Sequence, residues 1–226
     1  LHYLPRKEGI SKVLWYTFVK GYLKTLYRLW KIRNHHFAAD YDEYAFYSHL
    51  WPQRKWHRAR YAAIVKRLGW PRSLLDVGCG SNPLLNAYPQ GIALDRSLAP
   101  LRHRRTYGSR KVCGDASHLP FRDGYFDAVV CSELLEYLDD PLPAIREVVR
   151  VLEPGGTLVM VAPDHGCWKW AYIESLYRFF LPNAASMTFK HRYGKAKLLE
   201  MLGGAGLTIL ETGTVFGAEM VIKATK

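Results

Sequence analysis

The run Leu74-Leu75-Asp76-Val77-Gly78-Cys79-Gly80-Ser81-Asn82-Pro83 carries an apolar stretch into one carboxylate and two glycines. Glycine weakens strands and helices alike, so its use here points to a sharp turn or to backbone lying directly against a ligand. A dinucleotide site needs a third glycine three positions after the second, beside the pyrophosphate. Pro83 stands there instead, and Asp76 is a poor neighbour for phosphate but a good one for a cation. Asp95 follows 19 residues after Asp76, at the spacing where a carboxylate accepts the hydroxyls of a ribose. A cationic, ribose-bearing, phosphate-free ligand suits this set. Plainer uses stay open: a tight turn for the glycines, a cap on the segment beginning at Ser97 for Asp95, a loop carboxylate for Asp115.

The elements that position these residues are short apolar runs alternating with helical patterns. Runs at 73–78, 91–95, 110–116, 126–132 and 156–163 have strand length and turn residues at their ends. They alternate little, as strands covered on both faces do. Ile145, Val148, Val149 and Leu152 recur at helical spacing before Pro154-Gly155-Gly156, and a helix is expected to begin at Pro83. A helix over "KAKLLEMLGGAG" and two strands joined only by "TVFG" close the chain, the strands as an antiparallel pair. The pattern is that of an α/β fold with a largely parallel sheet.

Several ordered motifs resemble the class I S-adenosylmethionine-dependent methyltransferases, in the small-molecule and lipid branch typified by methyltransferase type 11. "LLDVGCG" resembles the family's first motif and "ALDRS" its second. "CGDASHLPFRDGYFDAVVCSELLEYLDDP" resembles the third and fourth, and "EVVRVLEPGGTLVMVAP" the helix, turn and strand that close the sheet's core. The resemblance implies a Rossmann-like seven-stranded sheet ordered 3-2-1-4-5-7-6 with the last strand antiparallel, and S-adenosyl-L-methionine as cofactor. It implies cofactor contacts at Asp76, Gly78, Gly80, Asp95, Arg96, Asp115, Ala116 and Ser132, with Asp95 on the ribose and Asp115 and Ala116 at the adenine. The chain departs from the family at Asn82, where many members have glycine, and at Glu136-Tyr137, where many have Glu-His.

Methyl transfer from a sulfonium needs a base only when the acceptor arrives protonated. Candidates at the mouth are His165, Tyr137 and Glu133, with Asp164, His191 and Tyr193 nearby; His165 follows "VAP" at the end of the fifth strand. Cys79 and Cys131 read as small packing residues, and "VVCSELL" lacks the proline-cysteine context of a nucleophilic cysteine. No metal site is expected, because the four cysteines are widely spaced with no histidine at ligand spacing, a usage that also fits a reducing compartment.

Charge locates a second feature. The chain carries a net +12, and residues 1–72 hold 15 Lys or Arg against 4 Asp or Glu, so +11 of it lies there. Residues 11–33 put Thr17, Lys20, Lys24, Arg28 and Lys31 on one helical stripe with aromatic and aliphatic residues around it, the pattern of a helix lying in a membrane interface. The expected organisation is a basic aromatic helical extension over 1–55 and a methyltransferase domain over 56–226, with the aromatic segment 164–194 inserted as an acceptor lid. No transmembrane run or signal peptide is expected, so the protein reads as cytoplasmic, peripheral on the membrane's cytoplasmic face. The acceptor is then a lipid-like or other apolar small molecule. A packed helix or dimer interface at 11–33, an RNA methyltransferase and a catalytically inactive cofactor-binding partner are the alternatives, although "SELLEY" does not resemble the proline-rich loop of nucleic acid amino-methylating enzymes.

Overall fold

A computed structural model describes residues 19–23, 41–49, 51–103, 110–180 and 189–226. The chain divides into two compact units, Leu1–Ala38 and Ala39–Lys226. Of the first, only the helical residues 19–23 are described, so most of the basic stripe expected over 11–33 lies outside the described residues.

The second unit is built on a seven-stranded sheet in the order β3-β2-β1-β4-β5-β7-β6. Its strands are β1 (Leu74–Val77), β2 (Ile92–Asp95), β3 (Arg110–Cys113), β4 (Phe126–Ser132), β5 (Leu152–Pro163), β6 (Thr208–Val215) and β7 (Glu219–Thr225). β1 to β5 pair in parallel, and β7 runs antiparallel between β5 and β6. The order and hand of pairing match the expected sheet.

Side-chain alternation sends successive strand residues to opposite faces. Leu75, Val77, Leu94, Val129, Cys131, Leu158 and Met160 pack against the helices α4 (Leu142–Val151) and α6 (Lys195–Gly204). Leu74, Ala93, Ala128, Val130, Val159 and Val161 pack on the other face, against Ile64 and Leu68 of α2 (Trp51–Leu68) and against Leu84, Leu85 and Tyr88. The remaining helices are α1 (Tyr41–Tyr47), α3 (Leu98–His103) and α5 (Trp168–Phe180). Asp127 fixes the start of β1 beside β4 by accepting from the backbone N–H groups of Arg72 (2.8 Å) and Ser73 (2.9 Å). No helix among the described residues is long and apolar enough to cross a membrane.

Two local expectations change. The helix expected from Pro83 is a single 3-10 turn, Pro83–Asn86, capped by the Asn82 side chain accepting from Leu84 N–H. Pro89 and Gly91 cut it short, because β2 begins at Ile92 and leaves no room for a longer element. Leu152 is the first residue of β5, not the last of the preceding helix. Ala144, Ile145, Val148 and Val151 form the buried face of α4, and Gly155 turns the chain at φ 78° before the strand proper.

Candidate active site

The loop after β1 takes its shape from two glycines with positive φ, 68° at Gly78 and 48° at Gly80. Gly78 and Cys79 donate to the carbonyl of Leu94 at 2.8 and 3.0 Å, which pins the loop across the end of β2. A Cβ on Gly78 would fall 2.7 Å from Leu134 Cδ1, and one on Gly80 would fall 2.7 Å from an Asp42 carboxylate oxygen. The loop is therefore as narrow as a chain without side chains permits.

Asp95 ends β2 beside it. One of its oxygens accepts from Gly80 N–H and the other from Ser97 N–H, both at 2.8 Å. The capping role still leaves a lone pair on each oxygen, since each has two. Asp76 is buried on β1, in register with Ala93 and Val130. Asp42, from α1, sits over Gly80. The backbone N–H groups of Asp42 and Glu43 both donate to Ser81 Oγ, at 3.1 and 3.2 Å, which docks α1 on the loop. Burial raises the Asp42 carboxyl above its ordinary range; Arg60 and a backbone hydrogen bond from the loop partly offset this, and Asp95 adds to it. Further along the strand ends, Asp115 accepts from Ser117 N–H at 2.8 Å, Ala116 is buried, and Arg96 lies exposed next to Asp95.

The carboxyl end of β4 opens a second group. Ser132 is half-buried, and Glu133 adopts φ 52°, a left-handed conformation that a non-glycine residue holds only when its surroundings fix it. What fixes it is Val161 O, which accepts from its N–H at 2.8 Å, and Arg60, whose guanidinium reaches its carboxylate at 2.7 Å. Arg60 also bonds both oxygens of Glu219 on β7, through Nε at 2.9 Å and through Nη2, and Trp56 Nε1 donates to Glu219 at 2.5 Å. Burial alone would lower the arginine pKa, but Glu133 and Glu219 more than reverse this. Burial also drives Glu133 well above the ordinary carboxylate range, with Arg60 opposing. Arg60 and burial together keep His57 neutral, burial being the larger cause, with its pKa near 3.

The third group lies after β5. His165 donates its backbone N–H to Tyr193 O at 3.0 Å, and its side chain is 6% exposed. Its Nδ1 stands 3.4 Å from Arg192, which forms two hydrogen bonds to Glu174 at 2.8 and 2.6 Å. Burial, then Arg192, lowers the imidazole pKa, so the ring is neutral near pH 7, and Nε2 has no hydrogen-bond partner among the described residues. Aromatic rings join this group to the second. Tyr137 meets Phe189 at 5.3 Å, Phe189 meets His165 at 5.2 Å, His165 meets Trp170 at 5.9 Å, and Trp170 meets Trp56 at 6.4 Å.

Glycine loop, Asp95 and Asp76 thus come together, and Tyr137 and His165 lie in one aromatic wall, with Glu133 joined to its Trp56 end through Arg60 and Glu219. Arg60, Asp42, Glu219, Trp56 and Glu136 were not singled out from the sequence as site residues. The available signal was a glutamate opening the apolar run "AEMVIKA" and an arginine on the buried face of α2.

Asp42, Asp76 and Asp95 around the glycine loop suit a cationic, ribose-bearing ligand, and the fold is that of an α/β protein with such loops outside the carboxyl ends of its strands. Comparison with known proteins narrows the class. The family described as "Methyltransferase domain" matches residues 75–160. A demethylmenaquinone methyltransferase of Streptomyces griseus is 32% identical over 67% of this chain and 69% of its own length. That of Renibacterium salmoninarum is 37% identical over 55% of this chain, which spans only 56% of that protein's length. A Thermotoga maritima structure described as a SAM-dependent methyltransferase, possible histamine N-methyltransferase, superposes with a TM-score of 0.64 at 20% identity, over 85% of this chain and 98% of that one. The chain belongs to the class I S-adenosylmethionine-dependent methyltransferases.

Proposed function

We propose that the protein transfers a methyl group from S-adenosylmethionine to an apolar ring compound of the prenylated quinone class, reached at a membrane surface. When bound, the donor supplies a methyl carbon already activated by its sulfonium. The chain's part is to hold the two reactants in line, with the acceptor atom about 3 Å from that carbon. Asp76 faces the donor's positive end, Gly78 and Gly80 give clearance, and Asp95 takes the ribose hydroxyls. Asp115 and Ala116 flank the base, with Arg96 and Ser132 at the margins. His165, Tyr137 and Glu133 stand at the acceptor's end, where the neutral imidazole of His165, its Nδ1 turned to the Arg192 guanidinium, is able to donate a hydrogen bond from Nε2.

The observation that carries the acceptor reading is the aromatic wall from Tyr137 through Phe189, His165 and Trp170 to Trp56, a surface suited to a flat apolar ring. The names of the similar quinone methyltransferases support it. Membrane contact is supported by the outer stripe of α5, where Trp168, Tyr172 and Leu176 are spaced by four residues and are 73%, 61% and 41% exposed. Trp51 and Phe216, joined through Lys55, add exposed rings with a cation.

The test is incubation with S-adenosylmethionine and 2-prenyl-1,4-naphthoquinol, with mass detection of a singly methylated product. A protein that binds the donor by calorimetry but yields no such product refutes the acceptor assignment. Membrane contact is measured by flotation with anionic phosphatidylglycerol vesicles at low salt. The pair Trp168→Ser and Tyr172→Ser is expected to cut the bound fraction several-fold, and an absence of wild-type flotation refutes this part.

A further inference from the structure

A buried carboxylate beside the carboxyl end of β4 is left unused by the account so far. Glu136 lies in the 3-10 turn Leu135–Tyr137 immediately after β4, next to Leu134, whose side chain fills the space beside Gly78. Its backbone carbonyl accepts from the N–H groups of Lys190 (2.8 Å) and His191 (3.1 Å), so the turn is clamped between the donor loop and the acceptor segment. The residue is 1% exposed, and neither carboxylate oxygen has a hydrogen-bond partner among the described residues.

A buried carboxylate with both oxygens unsatisfied is costly, and a fold that keeps one for structural reasons gives it donors. The amide of Glu136 itself offsets part of the burial, and no side chain among the described residues that faces the carboxylate donates to it. Arg60 of α2 is committed to Glu133 and Glu219. Glu219 of β7 and Glu133 carry the same charge as Glu136, Tyr137 on its own turn and Tyr193 of the acceptor segment are electrostatically coupled to it, and none of them bonds to it. We infer that Glu136 is a further catalytic residue of this site, the carboxylate that receives the proton of an acceptor hydroxyl as the methyl group is transferred. This rests on the proposed acceptor class.

Burial lifts the Glu136 carboxyl to about 8, with Glu219 adding to the rise and its own amide and Arg60 offsetting part of it. A base with a proton affinity near the working pH is the effective kind. In the step, the acceptor's O–H bond breaks and its proton goes to a Glu136 oxygen. The freed electron pair, on the acceptor's oxygen or on a conjugated ring carbon of the acceptor, forms the bond to the methyl carbon, and the C–S pair stays on sulfur. Sulfonium and carboxylate become thioether and carboxylic acid, so charge balances. Where carbon takes the methyl group, the ring proton leaves to solvent and Glu136 returns its proton to the oxygen.

The experiment compares wild type, Glu136→Gln and Glu136→Asp in the full chain, with 2-prenyl-1,4-naphthoquinol and S-adenosylmethionine. Glu136→Gln is expected to lower kcat about 10²–10⁴-fold with little change in KM, and to abolish the rise of kcat through roughly pH 8. Glu136→Asp is expected to keep that rise at a reduced kcat, which also guards against a glutamine variant that fails to fold. A second readout needs no donor. Quenching of tryptophan fluorescence by 1-naphthol is expected to weaken several-fold in Glu136→Gln, and infrared difference spectra between pH about 6 and 9 should lose one carboxyl band. Wild-type kcat and pH profile in Glu136→Gln overturn the inference alone. An inactive wild type that binds S-adenosylmethionine overturns the acceptor class, and this inference with it.

Discussion

Replacing Arg60 with leucine tests the electrostatic core of the site. Its guanidinium is the cation that answers Glu133 and Glu219, with Glu219 0% exposed and its carboxylate otherwise bonded by Trp56 among the described residues. Glu133 is already raised well above the ordinary range with Arg60 in place, so without the guanidinium the pair has to hold one further proton in the folded state. The cost is about 1.36 kcal/mol for each pH unit above the unfolded glutamate value near 4.3, which gives about 4 kcal/mol at pH about 7.5 and about 1 kcal/mol at pH about 5. The first figure agrees with the roughly 3–5 kcal/mol lost when one partner of a buried ion pair is removed. The sign follows from linkage: the variant's folded state holds a proton that its unfolded state releases, so its stability falls as pH rises. Urea unfolding followed by tryptophan fluorescence at the two pH values measures it. A deficit of equal size at both, or none at about pH 7.5, refutes the argument.

Asp95→Asn is expected to weaken S-adenosylmethionine binding roughly 10- to 100-fold by calorimetry, the worth of about 1.5–3 kcal/mol for hydrogen bonds to a charged acceptor. Gly78→Ala places a Cβ at φ 68° and 2.7 Å from Leu134 Cδ1; about 1–2 kcal/mol of backbone strain should lower Tm by about 2–8 °C in a thermal scan, and an unchanged Tm speaks against the loop geometry. Glu136→Gln should flatten the pH dependence of stability: the wild-type carboxyl is raised in the folded state, so its contribution is full below about pH 4.5 and is lost as pH rises to about 8, by at most about 5 kcal/mol in urea titrations.

The sheet and the glycine loop were legible because each depends on neighbours in sequence. An apolar run of four to seven residues bounded by turn residues forms a strand wherever it pairs, although β3 at the sheet edge stays mostly exposed, and two glycines after Asp76 announce a turn without reference to the rest of the chain. The Arg60–Glu219 contact joins residues 159 apart, and no local pattern records it. α2 hides its role further, because Arg60 occupies the buried face together with Ile64 and Leu68, where a periodicity count expects an apolar residue. Glu136 was visible only as the residue before a tyrosine, since burial and missing partners are properties of the packed turn. Leu152 misled for the opposite reason: its spacing is helical, but Gly155 and the pairing of Phe126 with Leu152 draw it into β5.

Two docking events complete the site, and both depend on short elements. α1 has seven residues, too few to hold a helix by its own hydrogen bonds, and its attachment to the loop runs through Ser81 Oγ and the buried Ala45. α2 is tied to β7 by Arg60 and Trp56, and to Glu133 by Arg60 again. Asp42 feels both Arg60 and Asp95, so the order of α1 is linked to the charge state of the donor loop and of the carboxylate cluster at once. A cation placed between Asp42, Asp76 and Asp95 lowers the repulsion among them and so stabilises α1 against the loop. We propose that donor binding and the docking of α1 are one equilibrium, because Asp42 and Asp95 enter both.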